Sequence, residues 1–364
     1  MMGCGQVERG SLPGGSQPFA GVTVRSLDTG SAPLFVKVAA LDGPGSKLLI
    51  ASDRTNNRLQ ILQGFEVVRV IELDASPGQC EVGDFVGDDR PDLAVALRGG
   101  SSVMIFDGGD GDQDSSINVG TSPQGLAAAD LDGDGRLDLV VSNVGSNDLT
   151  VLWGQPGGGL GSPLTLSCGV SPVQVLLQDV TGDSQLDLLC SNFGSGSVSC
   201  FNNLGNRSFA LGQTLAVGNS PFGLAGADFN GDGKPDLAVA NELDGTITRY
   251  LMEDAGLGSA LTIPAGSKPD CLVSMDVNHD DFQDLLVTLE EESGVAILLG
   301  DGRGGFARAG LAATSGGPVG IEQADLDGSG APQAVTANFF GQGLSVLTFD
   351  RGRPDALPTK PPPP

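Results

Sequence analysis

Nine residues carry the first sign of chemistry: Asp130-Leu131-Asp132-Gly133-Asp134-Gly135-Arg136-Leu137-Asp138. Carboxylates stand at positions 1, 3, 5 and 9 of this stretch. Four like charges on so short a loop call for a counter-charge. Glycines at positions 4 and 6 let the backbone curl until the oxygens point inward. A hard cation that takes about six to eight oxygens fits such a cage, with the carbonyl of position 7 as a further ligand. Position 12 is Val141, where a helix-borne calcium loop would place a bidentate glutamate. An apolar β-type run, Leu139-Val140-Val141, follows in place of a helix. Calcium on a strand–loop–strand unit is the expectation.

The loop recurs. Counted from its first position, it starts at Ala40, Asp84, Asp130, Asp179, Asp228, Asp276 and Asp325, at spacings of 44, 46, 49, 49, 48 and 49 residues. A fixed period of this size marks a repeat architecture. Proline gives an independent register, standing seven residues before every start at Pro33, Pro77, Pro123, Pro172, Pro221, Pro269 and Pro318. Chance does not put seven prolines in phase with seven loops. The chain reads as seven repeats.

The ligand pattern is unevenly kept. The third repeat is complete, with Asp130, Asp132, Asp134 and Asp138. The fifth exchanges one carboxylate for an amide: Asp228, Asn230, Asp232 and Asp236. The sixth has Asp276, Asn278, Asp280 and Asp284, with Asp281 in place of the second glycine, so Asp281 is expected to adopt that glycine's backbone geometry. The fourth offers Asp179, Asp183 and Asp187 around Thr181. The second has Asp84, Asp88 and Asp92, while Val86 removes a ligand. Asp325 and Asp327 remain in the seventh, beside Ser329 and Gln333, and only Asp42 remains in the first. The seventh is expected to bind poorly and the first not at all. Asp and Gly are ordinary turn residues, so a single loop would decide little. Recurrence in the third, fifth and sixth favours metal.

A site with a Kd on the order of 10⁻⁴ M, facing about 1 mM calcium, stabilises the fold by roughly 1.4 kcal/mol. Three or four such sites give about 4–6 kcal/mol, comparable to the net stability of an ordinary domain. In a calcium-poor cytosol the same carboxylates would repel one another. An extracellular, periplasmic or cell-surface location is therefore expected, with calcium in a structural role.

Each repeat reads as four strands. In the third they are 125–129, 137–142, 149–153 and roughly 162–167. The acidic loop joins the first to the second. An asparagine (Asn143, Asn192, Asn241 or Asn338) ends the second, as suits a residue that tolerates the left-handed region. Glycine-rich turns such as Gly157-Gly158-Gly159 join the third to the fourth. Four antiparallel strands per repeat, seven times over, describe an all-β, seven-bladed propeller. The last repeat stops after 344–349, and 19–24 lies where a fourth strand is missing. The N-terminal strand is expected to close the ring and so remove the exposed edges.

Composition agrees. With 39% hydrophobic residues, 57 Gly, 22 Pro and no helical stripe, the chain suits short strands and turns. No apolar run reaches the length of a membrane span. The net charge of −26 argues against nucleic acid and anionic membranes as partners. Loops two to seven hold 20 of the 45 acidic residues, a concentration that solubility alone does not require.

The six cysteines include no CxxC pair, which disfavours zinc and thioredoxin-like chemistry. Cys190 and Cys200 flank a turn, and a disulfide between them and a pair of buried thiols are equally open. The others read as small core residues. Residues 1–17 form a Gly/Ser/Pro-rich segment, 18–350 the propeller, and 351–364 a proline-rich tail expected to be disordered. Gly3-Cys4 resembles the end of a bacterial lipoprotein signal, but the apolar stretch that should precede it is missing. A start placed too late and an accidental resemblance are both open, and a lipid anchor at Cys4 is carried as an expectation.

With its Asp-x-Asp-Gly-Asp-Gly loops, its Gly304-Gly305-Phe306 turn and its seven-fold count, the chain resembles the FG-GAP/VCBS repeat family, which includes the N-terminal propeller of integrin α-chains. The resemblance spans about nine-tenths of the sequence. It implies a propeller with structural calcium on one face, in a secreted or surface protein that binds proteins or glycans.

The catalytic inventory is thin. The single histidine, His279, sits at position 4 of the sixth loop, and no second histidine exists to build a triad. The phosphate-cradling Gly-x-x-x-x-Gly-Lys pattern is absent. The chain is expected not to be an enzyme. Sugar pockets stack rings on Trp or Tyr, and Trp153 and Tyr250, one of each, both read as core. The expectation is a monomeric, calcium-stabilised binding or adhesion scaffold for a protein or glycan ligand. A glycan-binding lectin stands second, and a polysaccharide-active hydrolase or lyase third.

Overall fold

The structure, a computed structural model, describes residues 19, 21–41, 47–108, 113–328 and 330–350. Among them are strands β1 to β28, arranged as seven four-stranded sheets. The third blade shows the plan: β10 (Pro123–Ala129), β11 (Asp138–Asn143), β12 (Asp148–Leu152) and β13 (Leu164–Ser167), each antiparallel to the next. These bounds all fall within two residues of those expected, and β10 begins at the phase-marking proline. A proline donates no ladder hydrogen bond and is tolerated as the first residue of a strand.

The first strand of each blade lines the central channel, and the second is buried on both faces. In β11, as in its counterparts in the other blades, all six residues are buried, because neighbouring blades cover both sides. The fourth strand alternates, as in β13 (Leu164 and Leu166 partly buried, Thr165 and Ser167 exposed), since its outer face meets water. Seven hydrophobic clusters fill the seven gaps between adjacent blades. The one between the last blade and the first joins Leu49, Ala51 and Leu62 to Val335, Leu344 and Val346. The core is therefore a ring.

Closure is made by the N-terminal strand. β1 (Val22–Asp28) pairs along its whole length with β28 (Gly343–Phe349), beside β27 (Gln333–Asn338) and β26 (Pro318–Ala324). It lies a few residues later than expected. Phe19 instead donates its amide to the Leu311 carbonyl and sets its ring edge-on to Phe349. Segments 1–17 and 351–364, Cys4 and Asp42 lie outside the described residues.

One expectation for the second strands is corrected and one open alternative is resolved. The asparagines that end the second strands are not left-handed turn residues. Asn143, Asn192, Asn241 and Asn338 are fully buried, and their amides tie the strand to hydroxyls such as Thr150, Ser199, Thr248 and Ser345. Nor do Cys190 and Cys200 face each other: Cys190 pairs with Ser199 and Cys200 with Leu189. A one-residue offset sends the two side chains to opposite faces of the blade and into different cores, and both remain thiols. The group that Cys190 does meet is Cys168.

Candidate metal centres and the opposite channel mouth

The acidic loops all cap the same end of the channel, each joining a blade's first strand to its second. Their position-1 carboxylates organise them. Asp130 accepts the amides of Gly133, Asp134 and Gly135 at 2.8, 3.1 and 2.8 Å. Asp84, Asp228 and Asp276 accept the matching three amides of their loops, and Asp179 those of Gly182 and Ser184. The curl requires left-handed backbone at positions 4 and 6. Gly133 and Gly135 have φ of 77° and 84°, and His279 and Asp281 follow at 61° and 68°. Asp281 takes the glycine geometry as expected.

The position-9 carboxylates do a different task. Asp92, Asp138, Asp187, Asp236 and Asp284 are fully buried at the start of their second strands. Asp138 accepts the Leu131 amide on one oxygen and the Gly154 amide on the other, both at 2.8 Å. The other four bond in the same way to the start of their loop and the end of their third strand. Burial raises the pKa of all five, against those amides and with the neighbouring loop carboxylates adding to the rise; Asp284 reaches about 7. A bound cation would act in the opposite direction.

In the third loop, oxygens of Asp130, Asp132 and Asp138 all lie within 4.8 Å of one another. Two ligands of one calcium, each at about 2.4 Å, can be no further apart than that, so the three fit the ion. Asp134 is not in the group. Its carboxylate is held by Arg136 and by Arg207, which lies 2.9 Å away and also bonds Asp132. Arg207 comes from the neighbouring blade and packs over the only tryptophan, Trp153, at 5.4 Å. In the fifth and sixth loops the amides of Asn230 and Asn278 donate to Asp232 and Asp280. In the second, Asp88 turns to Arg90, which lowers its pKa. In the fourth, Asp183 accepts from Gln185. The seventh places Lys47 on Asp325 and Gln333 on the Leu326 amide.

Adjacent blades are coupled through these loops. The Gly159 amide donates to the Phe85 carbonyl and the Gly304 amide to that of Phe229, so the glycine-rich turn of one blade caps the loop of the blade before it.

The channel, a cavity of about 450 Å³, is lined by all seven first strands. Lys37 lies 3.0 Å from Glu81 and 3.5 Å from Glu322 inside it. Burial raises both carboxyl pKa values, with Lys37 opposing, and the two acids outweigh the burial of Lys37 and raise its own.

At the far mouth, away from the acidic loops, stands a group that the motif reading passed over. β22 (Pro269–Met275) starts there with Asp270 as its second residue. Glu290 follows the end of β23 (Asp284–Leu289), and Glu242 follows the end of β19 (Asp236–Asn241) one blade earlier. Oxygens of Glu242, Asp270 and Glu290 all lie within 4.8 Å of one another. Asp270 is 4% exposed, and its Oδ2 has no hydrogen-bond partner among the described residues. Burial, then Glu242 and Glu290, push its pKa up to about 8. A signal existed in the sequence: Asp270 directly follows a phase-marking proline, where the other repeats have Leu34, Gly78, Gln124, Val173, Phe222 and Val319.

Fold and loops together define a seven-bladed β-propeller whose blades carry acidic loops on one face. Residues 84–141, 130–190, 179–239 and 228–287 each match the FG-GAP-like repeat, together more than half the sequence, and the chain belongs to that family. No curated protein matches it. Among solved structures, a streptogramin B lyase superposes with a TM-score of 0.66 at 12% identity, covering 92% of this chain and 100% of that one. BBS1N, solved in complex with ARL6DN, gives 0.66 at 15%, covering 90% and 98%. Virginiamycin B lyase from Staphylococcus aureus gives 0.64 at 11%, covering 90% and 100%. At such identities the likeness is one of fold. It nevertheless overturns the expectation that this chain is not an enzyme. That expectation rested on scarce histidine, and a lyase, seen in both of these structures, has the same shape; the likeness assigns no catalytic residue here.

Proposed function

We propose that this propeller is a calcium-stabilised scaffold that binds a protein partner outside the cytosol, in the extracellular space, the periplasm or at the cell surface. The observation that carries the reading is the third loop, where oxygens of three carboxylates lie within 4.8 Å of one another around a backbone already curled by Asp130. Asp130, Asp132 and Asp138 would hold the ion there, with Asp228, Asn230, Asp232 and Asp236 and then Asp276, Asn278, Asp280 and Asp284 in the fifth and sixth loops. The ion would add positive charge to that which Arg136 and Arg207 already bring to Asp132 and Asp134. Protein partnering is supported by the fold shared with BBS1N, which was solved with a protein bound. The partner is placed on the far mouth, since the near one is occupied by the loops.

Terbium, a calcium substitute excited through Trp153, tests the site. Sensitised emission should appear in the wild type and vanish in Asp130→Asn/Asp132→Asn; no emission in either would remove the third loop from the account. A lyase reading is favoured by the lyase of the same fold. Release of unsaturated products from a polysaccharide panel would move it ahead of the scaffold.

A further inference from the structure

We propose that Glu242, Asp270 and Glu290 form a second kind of cation site, which takes a hard divalent ion between the fifth and sixth blades at the channel mouth opposite the acidic loops. The carboxylate oxygens lie within 4.8 Å of one another, the spacing that ligands of one such ion require. Asp270 Oδ2 is buried with no hydrogen-bond partner among the described residues, and an orphaned buried polar atom is costly unless something fills its place.

Nor is the cluster imposed by the repeat. The backbone at this end is the same from blade to blade: the amides of Val144, Phe193, Glu242, Glu290 and Phe339 donate to the carbonyls of Ser122, Ser171, Ser220, Lys268 and Gly317 in turn. The side chains differ. The positions equivalent to Glu242 and Glu290 hold Arg54, Arg98, Val144, Phe193 and Phe339. Acids occupy them in two adjacent blades alone, the same two whose interface holds Asp270.

Nearby positive charge comes from Lys268, whose Nζ lies 3.7 Å from Glu290 Oε1. Lys268 brings a single ammonium to three carboxyl groups, and it competes with a cation rather than replacing one. Three carboxylates offer at most six oxygens. A calcium-sized ion would thus keep positions open toward the mouth, where water or a carboxylate of a bound partner can enter. The site is independent of the loop sites.

Manganese is the probe. Bound Mn²⁺ per chain is counted by equilibrium dialysis and located by anomalous diffraction from soaked crystals, for the wild type and for Glu242→Gln/Glu290→Gln. Asp270 is kept in this variant so that the strand start is undisturbed. The expected result is an anomalous peak among the three carboxylates and one fewer ion per chain in the variant, with any loop ions unchanged. Lys268→Met, which removes the competing ammonium, should tighten that site severalfold. Equal ion counts in wild type and double variant, or loop peaks with none at the mouth, would overturn the proposal. A peak at the mouth with bare loops would uphold it and reject the loop reading instead.

Discussion

The two ends of the channel obey different rules. At the loop end, five blades place a buried aspartate at the same position, with the same two backbone amides on its oxygens. At the far mouth the backbone hydrogen bonds recur while the side chains run from Arg54 and Arg98 through Phe193 and Phe339 to Glu242 and Glu290. Sameness at one end is what a closed ring needs, because each blade must fit the next. Variation at the other is where one molecule can be told from another. Structure resides in the periodic end, and recognition is expected at the aperiodic one.

Substitutions can break this contrast. The largest effect is expected at Gly158, where an added Cβ would lie 1.6 Å from the Val86 carbonyl oxygen and φ is +91°. Gly158→Ala should lower unfolding free energy by about 3 kcal/mol or more in urea titration, because the turn must leave the preceding loop. Gly133→Ala, with no atom within 4 Å of the new carbon, should cost about 1–2 kcal/mol from its backbone angle alone. Asp138→Ala strands two buried amides and should cost about 3 kcal/mol, whereas Glu242→Gln at the far mouth should stay within about 0.5 kcal/mol.

Between the two ends, Lys37→Met leaves Glu81 and Glu322 without their cation. A loss of about 2 kcal/mol is expected at neutral pH. Both carboxyl pKa values are raised in the fold, so the folded state binds protons more tightly than the unfolded chain. The variant should therefore recover stability below the ordinary glutamate range and lose it as pH rises above that range; a loss independent of pH would refute the pairing. The smallest effect concerns thiols. Burial pushes the Cys80 pKa up to about 12, so Cys80 should resist alkylation in the native protein and react once it is unfolded.

Much of this architecture was legible because it is periodic. Seven prolines and seven loops locate the first strands and their ends, and the glycine positions foretell the backbone of Asp281. The missing fourth strand of the last repeat points to the N-terminus. Less was legible where contacts come from far along the chain. Arg207 reaches Asp132 across 75 residues, and no local pattern announces it. Register also hides from spacing: Cys190 and Cys200 flank one turn and still face opposite ways. The acids of the far mouth were passed over for a simpler reason. Periodicity finds what recurs, and Glu242, Asp270 and Glu290 do not recur as a group.

The central claim is that the loop face is held together by cations. Thermal unfolding in about 1 mM calcium and in excess chelator tests it most directly, with Asp130→Asn/Asp228→Asn/Asp276→Asn alongside. A melting temperature that rises by several degrees in calcium, returns in chelator and does not move in the triple variant is the predicted result. Superimposable wild-type melts in calcium and chelator would contradict it, and would leave the acidic loops as turns held by their own backbone amides.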